Sequence, residues 1–414
     1  MNEIKQKTVR FPSLQHRNFR LLWWGLLASN VGTWMQNVAQ GWLVLHLTNS
    51  PLWLGLLGLS FAVPMIVFPF AGGVVVDRID KIRLLKITQT GMMATAFILA
   101  LLTWTNLISV WHILTASFIG ASFLAFDNPA RQALVPALVE PRDLLNALSL
   151  NSATYTGAAL VGPAVAGALL GPLGAGSLFM LNAISFLSVM FALFSMKNVK
   201  SHSGNKPVSL KESALKGLIY AWKTRFILAL LMLSTLASFF GRSYQNLLPI
   251  FARDIFRSGA GGYGLLLSSG GAGALVGAFG LASAKNLKHH GALLILCGLV
   301  FSIFIVLFAF SSSLLWGILF LFIAGGTATM VGTIIATFIQ VEVPNELRGR
   351  IISLYTITLI GFPALGAMGS GAAAELLGGI QGAPRAVLIG GIIVGVVTLL
   401  VSPFFWKKRI NTQK

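Results

Sequence analysis

The chain has 414 residues, of which 56% are hydrophobic and only 10% charged, with a mean hydropathy of +0.81. A soluble domain carries roughly 25% charged residues, so 30 Lys and Arg with 11 Asp and Glu cannot clothe a water-facing surface of this size. The lone Cys297 excludes an internal disulfide and a cysteine metal centre, and the net charge of +19 raises nucleic acid as a partner until its distribution is followed.

Twelve apolar runs are predicted as helices, each long enough to cross about 30 Å of hydrocarbon. They cover 19–43, 51–75, 83–105, 109–131, 144–170, 174–196, 226–251, 261–284, 291–311, 314–340, 349–375 and 385–406. The runs are uniformly apolar and do not alternate, which is the pattern of helices that satisfy their own backbone and not of barrel strands. The first 18 residues are polar and enter the first run without a cleavable leader pattern.

In chain order, the first run carries three amides, Gln36, Asn37 and Gln40, that need a cavity or a partner helix within hydrocarbon. After the second run comes Gly73-Val-Val-Val-Asp77-Arg78-Ile-Asp80-Lys81-Ile-Arg83. Here Gly73 permits close packing, Asp77 suits a helix cap, and the basic residues suit acidic groups at helix ends or serve simply as topogenic charge. Asp127 and Arg131, at the end of the fourth run, stand four apart and can pair on one helix face. The fifth run holds Gly157, Gly162, Pro163 and Gly167, which bend a helix and smooth its face.

A basic linker, 197–225, follows the sixth run, with an amphipathic stretch at 209–222 suited to the membrane surface. Arg242 falls some 16 residues into the seventh run, followed by Gln245 and Asn246. A central Arg costs about 2.5 to 17 kcal/mol in lipid, so it must face a wet cavity or an acidic partner. It is read either as a receptor for an anionic or polar cargo, or as half of a structural ion pair or a side chain snorkelling toward the outer surface. Gly270, Gly271, Gly273 and Gly277 in the eighth run lack dinucleotide-loop spacing and read as helix-packing glycine. There is no Gly-x-x-x-x-Gly-Lys-[Ser/Thr] loop, so an ion or solute gradient must supply any driving force. None of the eleven acids falls at the centre of a run, and Asp127 is the candidate to titrate. No metal or cofactor constellation is present; His289 and His290 adjoin in a basic connection and read as solvated.

The charge is one-sided. Of the 30 cations, 26 lie in the two termini and in the connections after the second, fourth, sixth, eighth and tenth runs. Arg253, Arg257 and Arg385 lie opposite, and Arg242 lies within. The positive-inside rule places both termini in the cytoplasm, which accounts for +19 without nucleic acid.

The chain also matches itself. Gln36-Asn37 recurs as Gln245-Asn246, and Gly55-Leu-Leu as Gly264-Leu-Leu, both 209 residues later. Gly73 with Lys81 recurs as Gly280 with Lys288, and Pro141-Arg-Asp-Leu144 as Pro344-Asn-Glu-Leu347. Six is even, so the halves enter the membrane in the same sense, as parallel repeats do. The expected division is an N-terminal segment 1–18, a six-helix bundle 19–196, the linker 197–225, a second bundle 226–406 and a tail 407–414.

Gly73–Arg83 resembles motif A of the major facilitator superfamily, and Gly157–Gly167 resembles motif C of its exporters and antiporters. Trp34–Val44, Phe126–Pro136 and Asn146–Asn151 resemble the enterobactin-exporter-like, transmembrane secretion effector subfamily. The resemblance runs from about residue 12 to 406. It implies an all-α major facilitator fold in the bacterial inner membrane and, as function, secondary active export of a siderophore or amphipathic drug by alternating access in exchange for protons. A nutrient facilitator or importer is the alternative, and a receptor or enzyme a remote one.

The resemblance also implies roles for residues. The gating set is Gly73, Asp77, Arg78, Lys81, Arg83, Asp127 and Arg131, and the antiporter set is Gly157, Gly162, Pro163 and Gly167. The family lines its central cavity with helices 1, 4, 7 and 10, making Gln36, Asn37, Gln40, Arg242, Gln245 and Asn246 the substrate-binding candidates. In the family a basic residue of motif A pairs with an acid at the end of helix 4, here Asp127. Asp80 stands where the family usually has Gly, and Ile82 where a basic residue is common, leaving Arg78 or Arg83 as the partner. A small-molecule cargo, protons and the lipid bilayer are the expected partners, with no cofactor, no metal and a monomeric chain.

Overall fold

The computed structural model describes residues 11–196, 218–283 and 289–406, apart from the side chains of 69–78 and 360. Among the described residues twelve long helices form and there is no strand. They are α1 (Arg17–Thr48), α2 (Pro51–Arg78), α3 (Lys81–Trp104) and α4 (Val110–Leu134), then a run Leu144–Ser195. That run turns at Gly174, whose φ of 73° suits only a residue without a Cβ. It therefore comprises two helices, α5 (144–173) and α6 (175–195). The second half holds α7 (Arg225–Ile255), α8 (Gly259–Ser283), α9 (His290–Ala309), α10 (Leu314–Glu342), α11 (Asn345–Leu376) and α12 (Ala383–Phe405). Every predicted run matches one helix to within a few residues.

Among the described residues, ten stretches are long and apolar enough to cross a membrane, with α5 and α6 counted as one. The helix outside that set is α1, where the three amides sit. Large apolar side chains face outward, Phe191 at 67% exposure and Leu400 at 70% among them, as helices surrounded by lipid require. The turns follow local chemistry: Asn49 ends α1 in the left-handed region with φ 50°, and Pro51 opens α2.

Lipid is as apolar as leucine, so close approach of small residues, not apolar burial, decides which helices meet. Two crossings join the halves. On α11, a Cβ at Gly371 would lie 2.6 Å from Pro51 O and 3.0 Å from Gly55 Cα of α2. On α5, a Cβ at Gly167 would lie 2.9 Å from both Ala260 O and Gly264 Cα of α8. Pro51 and Gly55 precede Ala260 and Gly264 by 209 residues, so the internal repeat is also a repeat of contacts.

Both crossings lie at the end of the bundle remote from the chain termini. Nearer the termini, Cβ atoms at Gly157 of α5 and Gly280 of α8 would meet nothing within 4 Å. The cores divide the same way. One cluster draws on both halves, from Met35 to Phe179 and from Tyr244 to Val394. Two others, Phe19–Leu193 and Ala221–Phe405, each stay within one half. The halves are sealed at one end and part towards the other.

Candidate transport site

The seal also has a polar component. Arg253, near the end of α7, donates from Nη1 to Leu45 O at 3.1 Å and from Nη2 to Asn49 Oδ1. Its Nε contacts both oxygens of Asp254, at 3.0 and 3.1 Å, which orients the guanidinium. Across the other crossing, Glu375 of α11 accepts from Ser50 Oγ at 2.7 Å and from Leu52 N at 3.4 Å. That carboxylate sits at the amino end of α2, where exposed N–H groups favour negative charge. Trp42 of α1 stacks on Tyr263 of α8, with ring centres 6.2 Å apart. The sequence reading gave none of these residues a site role, because the seal they form exists only where the two halves meet.

Arg242 lies where α7 loses its regularity. The helix Arg225–Leu236 widens to a π turn over Ala237–Gly241, tightens to a 3-10 turn over Ser243–Leu247, and widens again over Phe251–Ile255. Pro249 has no N–H to continue the ladder, and Gly241 lets the backbone approach Phe301, whose ring a Cβ would meet at 2.6 Å. Irregular backbone at membrane depth is tolerated where protein or water covers it, and it marks functional positions.

Arg242 forms no hydrogen bond or ion pair among the described residues, so the ion-pair alternative finds no acid there. Three phenols lie close enough to feel its charge: Tyr155 of α5, Tyr244 of α7 and Tyr355 of α11. Tyr155 comes from the other half, so Arg242 faces the gap between halves. Tyr155 is also 61% exposed and lies 6.5 Å, ring to ring, from Trp34. No tyrosine stood out in the sequence, since nothing in spacing brings residues 155, 242 and 355 together.

A cavity of about 390 Å³ opens beside Arg242 between α7, α9, α10, α11 and α12. Of the six substrate-binding candidates, Arg242 alone lines it. Gln36 accepts from Asn182 Nδ2 of α6 at 2.8 Å, a tie within the first half. Gln40 is buried at 4% exposure, with its Nε2 unpartnered. Asn37 and Gln245 are exposed, and Asn246 is half-buried beside Gly58 of α2.

Asp127 is wholly buried. Its Oδ1 accepts from Thr88 Oγ1 and Gln89 Nε2, each at 2.8 Å, and its Oδ2 from Arg131. Arg83 is exposed and makes no such pair; Arg131, one turn along the same helix, fills that place. The cap of α3 is Asp80, which accepts from Arg83 N at 2.9 Å, and not Asp77, which stands within α2. The departure from the family's Gly at position 80 is therefore a helix cap. The side chains of Gly73, Asp77 and Arg78 lie outside the described residues, and Lys81 is half-buried and engaged.

The motif C residues divide by partner. A Cβ at Gly162 would press on Trp34 Cβ at 2.5 Å and on Val31 O at 3.1 Å, both of α1, whereas Pro163 and Gly167 form the crossing with α8. Gly157 stands in the open part of the gap. In α8, Gly271 packs on α5 and Gly273 on α10, the packing role read for that stretch.

Residues 8–407 match the sequence profile of the transmembrane secretion effector family, MFS_3. The chain belongs to that family. It is a multi-pass membrane transporter and not an enzyme. The staphyloferrin A transporter of Staphylococcus aureus is 26% identical over 272 residues, 63% of this chain and 65% of that protein. The match thus spans just under two thirds of that relative. The enterobactin exporter EntS of Shigella boydii is 25% identical over 395 residues, 93% of this chain and 92% of that one. Among solved structures, a bacterial homologue of the lysosomal transporter Spinster, inward-facing and unoccupied, superposes with a TM-score of 0.75. That alignment covers 97% of this carrier and 99% of the other at 14% identity, which speaks for fold.

Proposed function

We propose that this carrier exports a small molecule, a siderophore or an amphipathic drug or metabolite, across the bacterial inner membrane by alternating access in exchange for protons. The observation that carries the reading is the sealed end set against the parted end, with an unpaired Arg242 beside a cavity at the middle. With both termini cytoplasmic, as 26 of 30 cations favour, the sealed end is periplasmic and the state faces inward. The bundles 19–196 and 226–406 then rock about the two crossings, with 1–18, the linker 197–225 and the tail 407–414 in the cytoplasm.

The direction draws support from motif C at the α5–α8 crossing and from relatives named for siderophore and macrolide efflux. Asp127 is the proposed proton carrier, since it is the acid among those described that is wholly buried within the helices. The test is uptake by everted vesicles of a siderophore and drug panel, with and without an imposed pH gradient. Gradient-dependent accumulation of at least one compound is expected. Accumulation indifferent to the gradient removes proton exchange, and no accumulation of any compound removes export.

A further inference from the structure

We propose that the cavity beside Arg242 is a subsite for an amphiphile with an anionic head and a short apolar body, held by the second half alone. The inference deepens the export reading and takes only the word cargo from it. The lining residues all fall between Leu233 and Thr398, so the pocket travels with one half as the halves rock.

The walls are apolar where Leu233, Phe301, Ile335 and Leu359 meet. Most of the hydroxyls around them have already spent their hydrogens, the exception being Ser238, which makes no hydrogen bond among the described residues. Thr333 donates to Thr329 O at 2.9 Å, Thr398 to Val394 O at 2.8 Å, and Tyr355 to Gly332 O at 2.7 Å. Thr358 gives its proton to Tyr355 O at 2.7 Å, so Ser234 is the donor in the 2.5 Å contact between them. What remains is the Ser238 hydroxyl and an uncommitted guanidinium with five N–H donors, with no acid on the lining.

That arrangement selects by charge. A cation would meet Arg242 with nothing to offset the repulsion, and a neutral apolar guest would leave the guanidinium desolvated and unpaired. A carboxylate, sulfonate or phenolate accepts from it directly and gains the strength of a charge-assisted bond. Ligand pockets run from roughly 300 to 1,000 Å³, so about 390 Å³ admits a small amphiphile or one arm of a larger cargo. Because Tyr155 of the other half lies within range of the same positive charge, the head lies at the gap and the body lies within the bundle.

The test pairs two probes of equal chain length and opposite head charge, octanoate and octylamine, titrated against the full chain in lipid nanodiscs. Tryptophan emission and the shift in Tm are the readouts. Octanoate is expected to bind about tenfold or more tighter than octylamine. Arg242→Gln should erase that preference and Arg242→Lys should keep it. Thr333→Trp, which fills the pocket and leaves Arg242 in place, should weaken octanoate about tenfold. Equal binding of the two probes by the wild-type chain overturns the proposal, as does an intact preference in a folded Arg242→Gln. Should that variant fail to fold, the wild-type comparison and Thr333→Trp still decide. Selective binding by a chain that moves nothing in vesicles defeats the export reading and leaves this site standing.

Discussion

Gly264→Ala adds one methyl group at the α5–α8 crossing. The new Cβ overlaps Pro163 O and falls 2.8 Å from Gly167 Cα and 3.0 Å from Gly167 N. All three are backbone atoms, so no side chain can rotate away, and the helices must separate by roughly 1 Å to regain ordinary contact. Overpacking of this kind costs about 1–3 kcal/mol. Within a rigid core that would be lost stability. Under the proposed alternating-access cycle the crossing opens at each turn, so the cost falls on the sealed state alone. The expected result is a shift of about 5- to 150-fold in the equilibrium towards the state open at this end, with little change in Tm. The assay is the rate of thiol labelling, from the periplasmic side of whole cells, of a cysteine placed at Ser268, whose hydroxyl donates to Leu160 O at 2.7 Å across the seam. Faster labelling at unchanged Tm is expected. Unchanged labelling, or a large fall in Tm, would mean that the crossing is a fixed core contact and not a gate.

Gly162→Ala makes the opposite case, because its clash with Trp34 and Val31 lies within one half. It should lower Tm with no change in labelling at Ser268→Cys. Arg253→Ala deletes the hydrogen bonds to Leu45 O and Asn49, and Glu375→Gln removes the charge at the start of α2. Each should favour the open end by about 1–3 kcal/mol or less, the Glu375 contact being exposed and worth the smaller share; labelling indifferent to both would exclude a polar latch. Asp127→Asn leaves the guanidinium of Arg131 without its carboxylate, at a cost of about 3–5 kcal/mol for a buried pair. It should lower Tm and uncouple transport from the pH gradient, whereas lowered Tm with intact coupling assigns Asp127 a structural role only.

The positions of the twelve helices were legible along the chain, because crossing hydrocarbon demands about 20 apolar residues and leaves an unmistakable run. Parallel halves were legible too, since repeats such as Gly55-Leu-Leu and Gly264-Leu-Leu survive in sequence and turn out to mark equivalent crossings. Arg242 announced itself because a charge at that depth has no cheap explanation. What each helix turns towards its neighbours was not legible. In a soluble helix the polar stripe points to water and fixes the rotation, but around a lipid-bathed helix both faces are apolar and the period is blank. Hence Gln40 proved to be buried and Arg83 to be exposed, whereas the Asp127–Arg131 pair, four apart on one helix, was legible from spacing alone. The approach of Tyr155 and Tyr355 to Arg242, the pocket confined to one half and the seal at one end depend on contacts between residues on different helices, many of them far apart along the chain. Only the packed bundle decides those, because small residues let backbones touch wherever their surfaces happen to match.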